Sequence, residues 1–307
     1  MNTPTELADT SCGFIALVGA PNAGKSTLLN ALVGTKVSIV THKAQTTRSQ
    51  VRGVLTLDQA QLVFVDTPGI FAPKKRLERA MVENAWGGAG DSDIVAFLID
   101  ADRGVTPEIE TLLEGLENIR QPKVLILNKI DTVKHESLLA LSQTLNDRLR
   151  FEATFMLSAL KGHGVQDFID WCVKHIPPGP WHFPEDHLTD LTMAITAAEV
   201  TREKLFLRVH DEIPYNSTVE TESFKIQKDG SYKIDQVVYV SRESHKKIVL
   251  GAGGQTIKAI GAESRKELMA MYDVPIHLFL FVKVREKWAD DPERYQEMGL
   301  EFPHGKK

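Results

Sequence analysis

Cysteine is scarce in this 307-residue chain: Cys12 and Cys172 are the only two, 160 positions apart. That separation matches no metal-binding spacing, and so few thiols suit a reducing compartment. Both read as packing residues. Long hydrophobic runs are missing as well. The longest, such as IVAFLI at 94–99, fall far short of the roughly 20 apolar residues of a membrane span. There is no excess of positive charge: 36 Lys and Arg stand against 41 Asp and Glu, a net of −5, which argues against a generally cationic surface. No internal repeat or low-complexity segment appears. The opening MNTPTELADTSCG is polar and acidic, unlike a secretory signal or an Arg-rich transit peptide. A cytosolic protein is expected.

What the chain does have is a composition 42% hydrophobic and 25% charged, ordinary for a globular protein and long enough for two compact domains. From Phe14 to about His175, short apolar runs alternate with helix-like segments: FIALVG (14–19), QLVFVD (61–66), IVAFLID (94–100), KVLILN (123–128) and TFMLS (154–158). Continuous apolar runs of this length suit strands buried on both faces. Their alternation with helices implies right-handed βαβ units, and so an α/β domain with a mostly parallel sheet. In HIPPGPWHFPEDH (175–187) four prolines and a glycine can neither continue a helix nor enter a central strand. The expected division is a domain over 1–178, a linker over 179–189 and a second domain over 190–307. The second domain reads as α+β. A helix covers 191–209, strands cover 218–226 and 232–241 around the turn signal QKDGS, a helix-like SRKELMAMY covers 264–272, and a last strand covers 274–284.

GAPNAGKS (19–26) fits G-x-x-x-x-G-K-[ST], running from Gly19 through Ala20, Pro21, Asn22, Ala23, Gly24 and Lys25 to Ser26, with Thr27 next. It follows a predicted strand and opens a helix-like segment, where backbone N–H groups and the helix N-terminus favour phosphate oxygens. Lys25 is expected to bridge β- and γ-oxygens, and Ser26 to give its hydroxyl to Mg²⁺. In DTPG (Asp66, Thr67, Pro68, Gly69), Asp66 reaches Mg²⁺ through water and the Gly69 N–H meets a γ-phosphate. NKID (128–131) selects the base: the Asp131 carboxylate accepts two hydrogen bonds from guanine N1–H and N2–H₂, which adenine does not offer. Asn128 is expected to address the purine edge, with the Lys129 stem over the ring. In LSALKGHG (157–164), Ser158 and Ala159 follow the next strand, with the Ala159 N–H facing guanine O6. All these motifs stand at the C-terminal ends of predicted strands, where open parallel sheets bind ligands.

The order GxxxxGKS, DTPG, NKxD, SAxxGxG resembles the translation-factor-related GTPases. SIVTHKAQTTRSQV (38–51), with KAQTTR within it, resembles switch I of the Era family of ribosome-assembly GTPases. This resemblance makes Thr47, within residues 45–49, the expected switch hydroxyl on Mg²⁺ when GTP is bound, with Thr46 the runner-up. Ile70 follows DTPG where many GTPases carry a glutamine near there to orient water. Slow intrinsic hydrolysis is therefore expected, supplied by Lys25, Gly69, Thr47, the loop amides and Mg²⁺. In related GTPases an asparagine at the position of Asn22 goes with a bound K⁺.

IVLGAGGQTIKAIG (248–261) is a second glycine loop, of the form G-x-x-G before a helix. It misses G-x-G-x-x-G because Thr256 stands at the last glycine. It resembles the KH fold, in the helix-first, prokaryotic-type (type II) arrangement, whose GXXG loop clamps about four nucleotides of single-stranded nucleic acid. Residues 185–307 carry 18 Lys and Arg against 21 Asp and Glu. Between 242 and 266, however, Arg242, Lys246, Lys247, Lys258, Arg265 and Lys266 face only Glu243 and Glu263, a local basic stretch. The expected RNA-binding residues are Lys246, Lys247, Gly251, Ala252, Gly253, Gly254, Lys258 and Arg265. Related proteins often carry a lysine inside this loop; GAGG does not. The pairing of the two domains, together with WAD at 288–290, resembles the Era family over nearly the entire chain. The resemblance implies a GTP-hydrolysing switch that binds 16S ribosomal RNA near its 3′ end, assists 30S subunit assembly, acts as a monomer and touches the inner membrane loosely. Two other readings stay open: an RNA-binding assembly factor with GTP as a regulatory ligand, or a membrane-associated regulatory GTPase.

Overall fold

The computed structural model describes residues 10–303, so the first nine residues of the polar N-terminal stretch lie outside the described part. The chain divides into two compact units. One comprises Met1–Ser38, Thr47–Asp190 and Gly299–Lys307; the other comprises Ile39–Thr46 and Leu191–Met298.

The first unit is built on β1 (Ser11–Gly19), α1 (Lys25–Val33), β2 (Val51–Leu57), β3 (Ala60–Asp66), α2 (Arg76–Gly90), β4 (Ile94–Asp100), α3 (Pro107–Glu117), β5 (Lys123–Asn128), α4 (His135–Arg148), β6 (Ala153–Leu157) and α5 (Val165–His175). Its six strands lie in the order β2-β3-β1-β4-β5-β6. All neighbours are parallel except β2 and β3. The five apolar runs are strands for the reason their composition suggests. Ile15, Leu17, Phe64, Phe97, Leu98, Leu125 and Leu127 are fully buried, because helices cover both faces of the sheet. β2 was not among the sequence-read strands. VRGVLTL lies at the sheet edge and is buried only in part, so it presents no continuous apolar run. The proline-rich stretch pairs with this unit: the Gln61 carboxamide donates to the Phe183 carbonyl and accepts from the His182 and Phe183 amides.

Register fixes the site. Leu17 stands opposite Asp66, Gly19 opposite Leu98, Asp100 opposite Asn128, and Asn128 opposite Leu157. The four motif-bearing strands therefore end at one level along the sheet.

The second unit contains α6 (Met193–Arg208), β7 (Ser217–Ile226), β8 (Tyr232–Val240), α7 (Glu243–Leu250), α8 (Gln255–Tyr272), β9 (Ile276–Val284) and α9 (Pro292–Glu297). Its sheet order is β7-β8-β9, with β7 antiparallel and β9 parallel to β8. Ala198, Leu205, Val238, Val240, Val249 and Ile260 share one buried cluster, which places α6, α7 and α8 over the sheet. Trp288 of WAD is buried and donates from Nε1 to the Asn216 carbonyl, so that motif is a structural anchor. Two readings are extended here. The apolar stretch before the glycines is the helix α7. The helix-like 264–272 is the end of α8, which is continuous from Gln255.

Candidate functional site

The first glycine loop turns β1 into α1. Gly24 caps α1 with φ 97°, in the left-handed region open to glycine, and no side chain caps the helix. A Cβ on Gly24 would also collide with the Asn128 carboxamide. The amides at the start of α1 therefore have no competing side-chain acceptor, as anion binding at a helix N-terminus requires. Lys25 is 6% exposed, and its ammonium bonds the Gly19 and Ala20 carbonyls at 3.1 and 3.0 Å. Burial pulls its pKa down to about 8, with Asp66 opposing that shift. Asn22 has φ 64° and is exposed. The Ile70 N–H donates to the Gly19 carbonyl at 3.2 Å while its side chain is buried. Thr67 hangs DTPG on β1 through a hydroxyl bond of 2.8 Å to the Leu17 carbonyl.

Asp66, fully buried, gathers three hydroxyls on one oxygen. Ser26 donates to Oδ2 at 2.6 Å, Ser38 at 2.9 Å and Thr47 at 3.2 Å. The Ser26 and Thr47 hydroxyls lie 3.0 Å apart. Oδ1 of Asp66 is buried with no hydrogen-bond partner, and desolvation raises the Asp66 pKa. Hard oxygens gathered around a buried carboxylate with an orphaned atom are the donor set a small divalent cation takes, Mg²⁺ keeping several waters among its ligands. The residues therefore fit Mg²⁺, held by Ser26 and Thr47 with Asp66 behind. The Thr46 hydroxyl instead bonds Thr41 and the Lys43 carbonyl, which separates the two candidate threonines. Ser38 was missed by sequence reasoning; it stands at the edge of the switch stretch, without a motif of its own.

The base-reading motifs are tied to one another by hydrogen bonds. Asn128, expected on the purine edge, makes three hydrogen bonds inside the protein through its carboxamide, which leaves one of the two Nδ2 hydrogens for a base. Nδ2 donates to the Ala23 carbonyl at 2.8 Å, while Oδ1 accepts from the Lys129 N–H at 2.8 Å and the Ala159 N–H at 3.0 Å. Asn128 is 2% exposed, and it ties three loops together. The Ala159 amide, expected at guanine O6, is likewise given to Asn128. Lys129 adopts φ 64° and pairs its ammonium with Asp100 at 2.6 Å. Asp131 is exposed, and the Ser158 hydroxyl holds its carboxyl below the usual carboxylate range. Ser158 itself is buried.

In the second unit, α7 ends at Gly251, and Ala252–Gly254 form a single tight turn into α8. Gly251 has φ 73° and ψ 174°, a conformation essentially reserved for glycine, and a Cβ there would collide with Thr256. Gly254 caps α8 with no side-chain hydrogen bond; the Gly254 and Gln255 amides turn back to the Gly251 and Ala252 carbonyls, so a phosphate there would meet the amides that follow. Lys247, Lys258 and Arg265 are exposed, whereas Lys246 is partly buried and 4.0 Å from Glu243. Ile248 on α7 is 51% exposed beside the loop; no sequence signal marked it.

Comparison with known proteins finds relatives of both parts of the chain. Residues 14–129 match the family model of the 50S ribosome-binding GTPase, and residues 212–289 match that of the KH domain. GTPase Era of Mesorhizobium japonicum is 60% identical over 299 residues, 97% of this chain and 96% of that protein. GTPase Era of Brucella suis is 58% identical over 97% of this chain and 96% of that protein. Among solved structures, Era in complex with MgGDPNP and nucleotides 1506–1542 of 16S ribosomal RNA superposes with a TM-score of 0.89. It is 36% identical and covers 94% of this chain and 99% of that one.

Proposed function

The chain belongs to the GTPase Era family, as 60% identity over 97% of its length requires, and from that premise we propose that it is a GTP-operated switch on single-stranded ribosomal RNA. The GTPase activity belongs to the first unit. The second would clamp 16S ribosomal RNA near its 3′ end and so assist assembly of the 30S subunit. The observation that supports this is the gathering of Ser26 and Thr47 on Asp66 beside the glycine loop in one unit, with a GXXG turn flanked by exposed Lys247 and Lys258 in the other. The likeness to a solved Era that holds both a GTP analogue and 16S RNA supports it. The sequence-read domain limits, 1–178 and 190–307 joined by a linker, are proposed with it, as are a cytoplasmic monomer and any loose contact with the inner membrane. Among the described residues no helix is long and apolar enough to cross a membrane.

In this proposal Mg²⁺, when bound, neutralises charge on the β- and γ-phosphates. Lys25 pairs with the same oxygens, and the loop amides and the Gly69 N–H fix the terminal phosphate. Thr47 reports that phosphate to the rest of the switch, and Asp131 selects guanine. Ile70, buried and without a polar atom on its side chain, orients no water, so turnover is slow. The positive φ of Asn22 suits a loop that could expose carbonyls to K⁺; equal turnover in K⁺ and Na⁺ buffers would remove K⁺ from the account. The functional test is crosslinking of the protein to cellular RNA with each nucleotide, followed by mapping of the sites. Enrichment of the 3′ region of 16S RNA is expected. A map without ribosomal RNA would overturn the RNA assignment and leave the GTPase standing.

A further inference from the structure

The switch stretch does not belong to a single unit. Ile39–Thr46 groups with the second unit, whereas Ser38 and Thr47 group with the first. The contacts of this eight-residue segment with α6 are specific. The Val40 N–H donates to the Glu203 carboxylate at 2.8 Å. The Lys43 ammonium donates to the Phe206 carbonyl, and to the Val209 carbonyl at 2.5 Å. Those carbonyls lie at the C-terminal end of α6, which has few hydrogen bonds of its own and a partial negative charge. The Arg202 guanidinium donates from Nη2 to the Thr46 carbonyl at 2.5 Å, and from Nε to Glu199 at 2.8 Å. Arg202 and Glu203 are 2% and 3% exposed. Charges buried that deeply are tolerated when paired and hydrogen-bonded, and the backbone of residues 39–46 supplies part of that pairing.

Thr46 carries the restraint to the nucleotide site through one peptide bond. Its carbonyl is held by Arg202, and the next residue, Thr47, places its hydroxyl 3.2 Å from Asp66 and 3.0 Å from Ser26. We propose that Arg202, with Glu203 and Lys43, is a positioning residue for GTP hydrolysis: it holds the segment that delivers Thr47 to the metal and γ-phosphate, from a helix of the nucleic-acid-binding unit. This rests on the reading of Thr47 as the switch hydroxyl. GDP offers Thr47 no γ-phosphate, so the effect is confined to the triphosphate state.

The test is single-turnover GTP hydrolysis by the full-length chain and four variants, with GDP affinity and the Mg²⁺ dependence of GTP-analogue binding measured alongside. Arg202→Ala and Lys43→Ala are expected to slow hydrolysis by about ten-fold, the size of a lost charge-assisted hydrogen bond. GDP affinity is expected to stay within about two-fold, and more Mg²⁺ should be needed for analogue binding. Arg202→Lys, which keeps a donor for the Thr46 carbonyl, should recover most of the rate. A general folding defect would lower GDP affinity too. Lys43 is only partly buried, so its variant carries the test if Arg202→Ala fails to fold. Wild-type rates in Arg202→Ala and Lys43→Ala alongside a slow Thr47→Ala would overturn the inference and leave the Thr47 reading intact. A wild-type rate in Thr47→Ala would overturn that reading and the inference with it.

Discussion

At the scale of single residues, the site separates groups that face the nucleotide from groups that hold others in place. Asn128 and Ser158 are buried; the first joins Ala23, Lys129 and Ala159, and the second lowers the Asp131 pKa. Asp131 remains exposed with its charge intact, the condition for reading two N–H groups of guanine. Asp131→Asn should weaken GTP binding by about 2–3 kcal/mol, the loss of a charge-assisted pair, and should favour xanthosine nucleotides. Competition binding of the two triphosphates measures it, and unchanged GTP preference would remove Asp131 from base selection. Residue type made the four motifs legible in the sequence. It could not say where each hydrogen bond is spent. Asn128 is read as a base contact from its motif, and its carboxamide also bonds residues up to 105 positions away. Ser38 reaches Asp66 across 28 positions with no motif to announce it.

At the scale of elements, the two glycine loops solve one physical problem differently. Each opens a helix whose first amides have no side-chain cap, at Gly24 before α1 and at Gly254 before α8. The first loop adds the buried Lys25. The second has no charge inside it and relies on Lys247 and Lys258 at its flanks. Each of these lysines should therefore carry about one phosphate contact. Lys247→Ala and Lys258→Ala should each weaken single-stranded RNA binding and reduce the slope of log affinity against log salt by roughly 0.7. A salt titration with a fluorescent oligonucleotide reads both effects; an unchanged slope in the double variant would place the RNA elsewhere. The strands that were legible are those buried on both faces, because burial writes a continuous apolar run. β2, at the edge and buried in part, wrote none. α7 was hidden for another reason: ESHKKIVL is eight residues long, too short for its period to stand out beside an adjoining glycine cluster.

At the scale of the whole molecule, the proline-rich stretch marks the end of the strand–helix alternation in the sequence, and in the structure it groups with the first unit, which runs to Asp190. The grouping of residues 39–46 with the second unit was not legible. It rests on contacts such as Val40 to Glu203, 163 positions apart, and on backbone carbonyls that carry no sequence signature. Within the second unit residues 40–46 are held by α6, and within the first Ser38 and Thr47 both donate to Asp66. A ligand shifts such an arrangement only by binding one state better than the other, and the γ-phosphate is the group by which GTP differs from GDP. The central claim, a GTP-operated RNA switch, is tested most directly by the affinity of the full-length protein for single-stranded RNA of the 16S 3′ end, measured at fixed salt with GDP and with a non-hydrolysable GTP analogue. The account predicts binding about ten-fold or more tighter with the analogue, a coupling on the order of 1.4 kcal/mol. Equal affinities with the two nucleotides would contradict it and leave an RNA-binding protein whose GTPase does not govern its RNA.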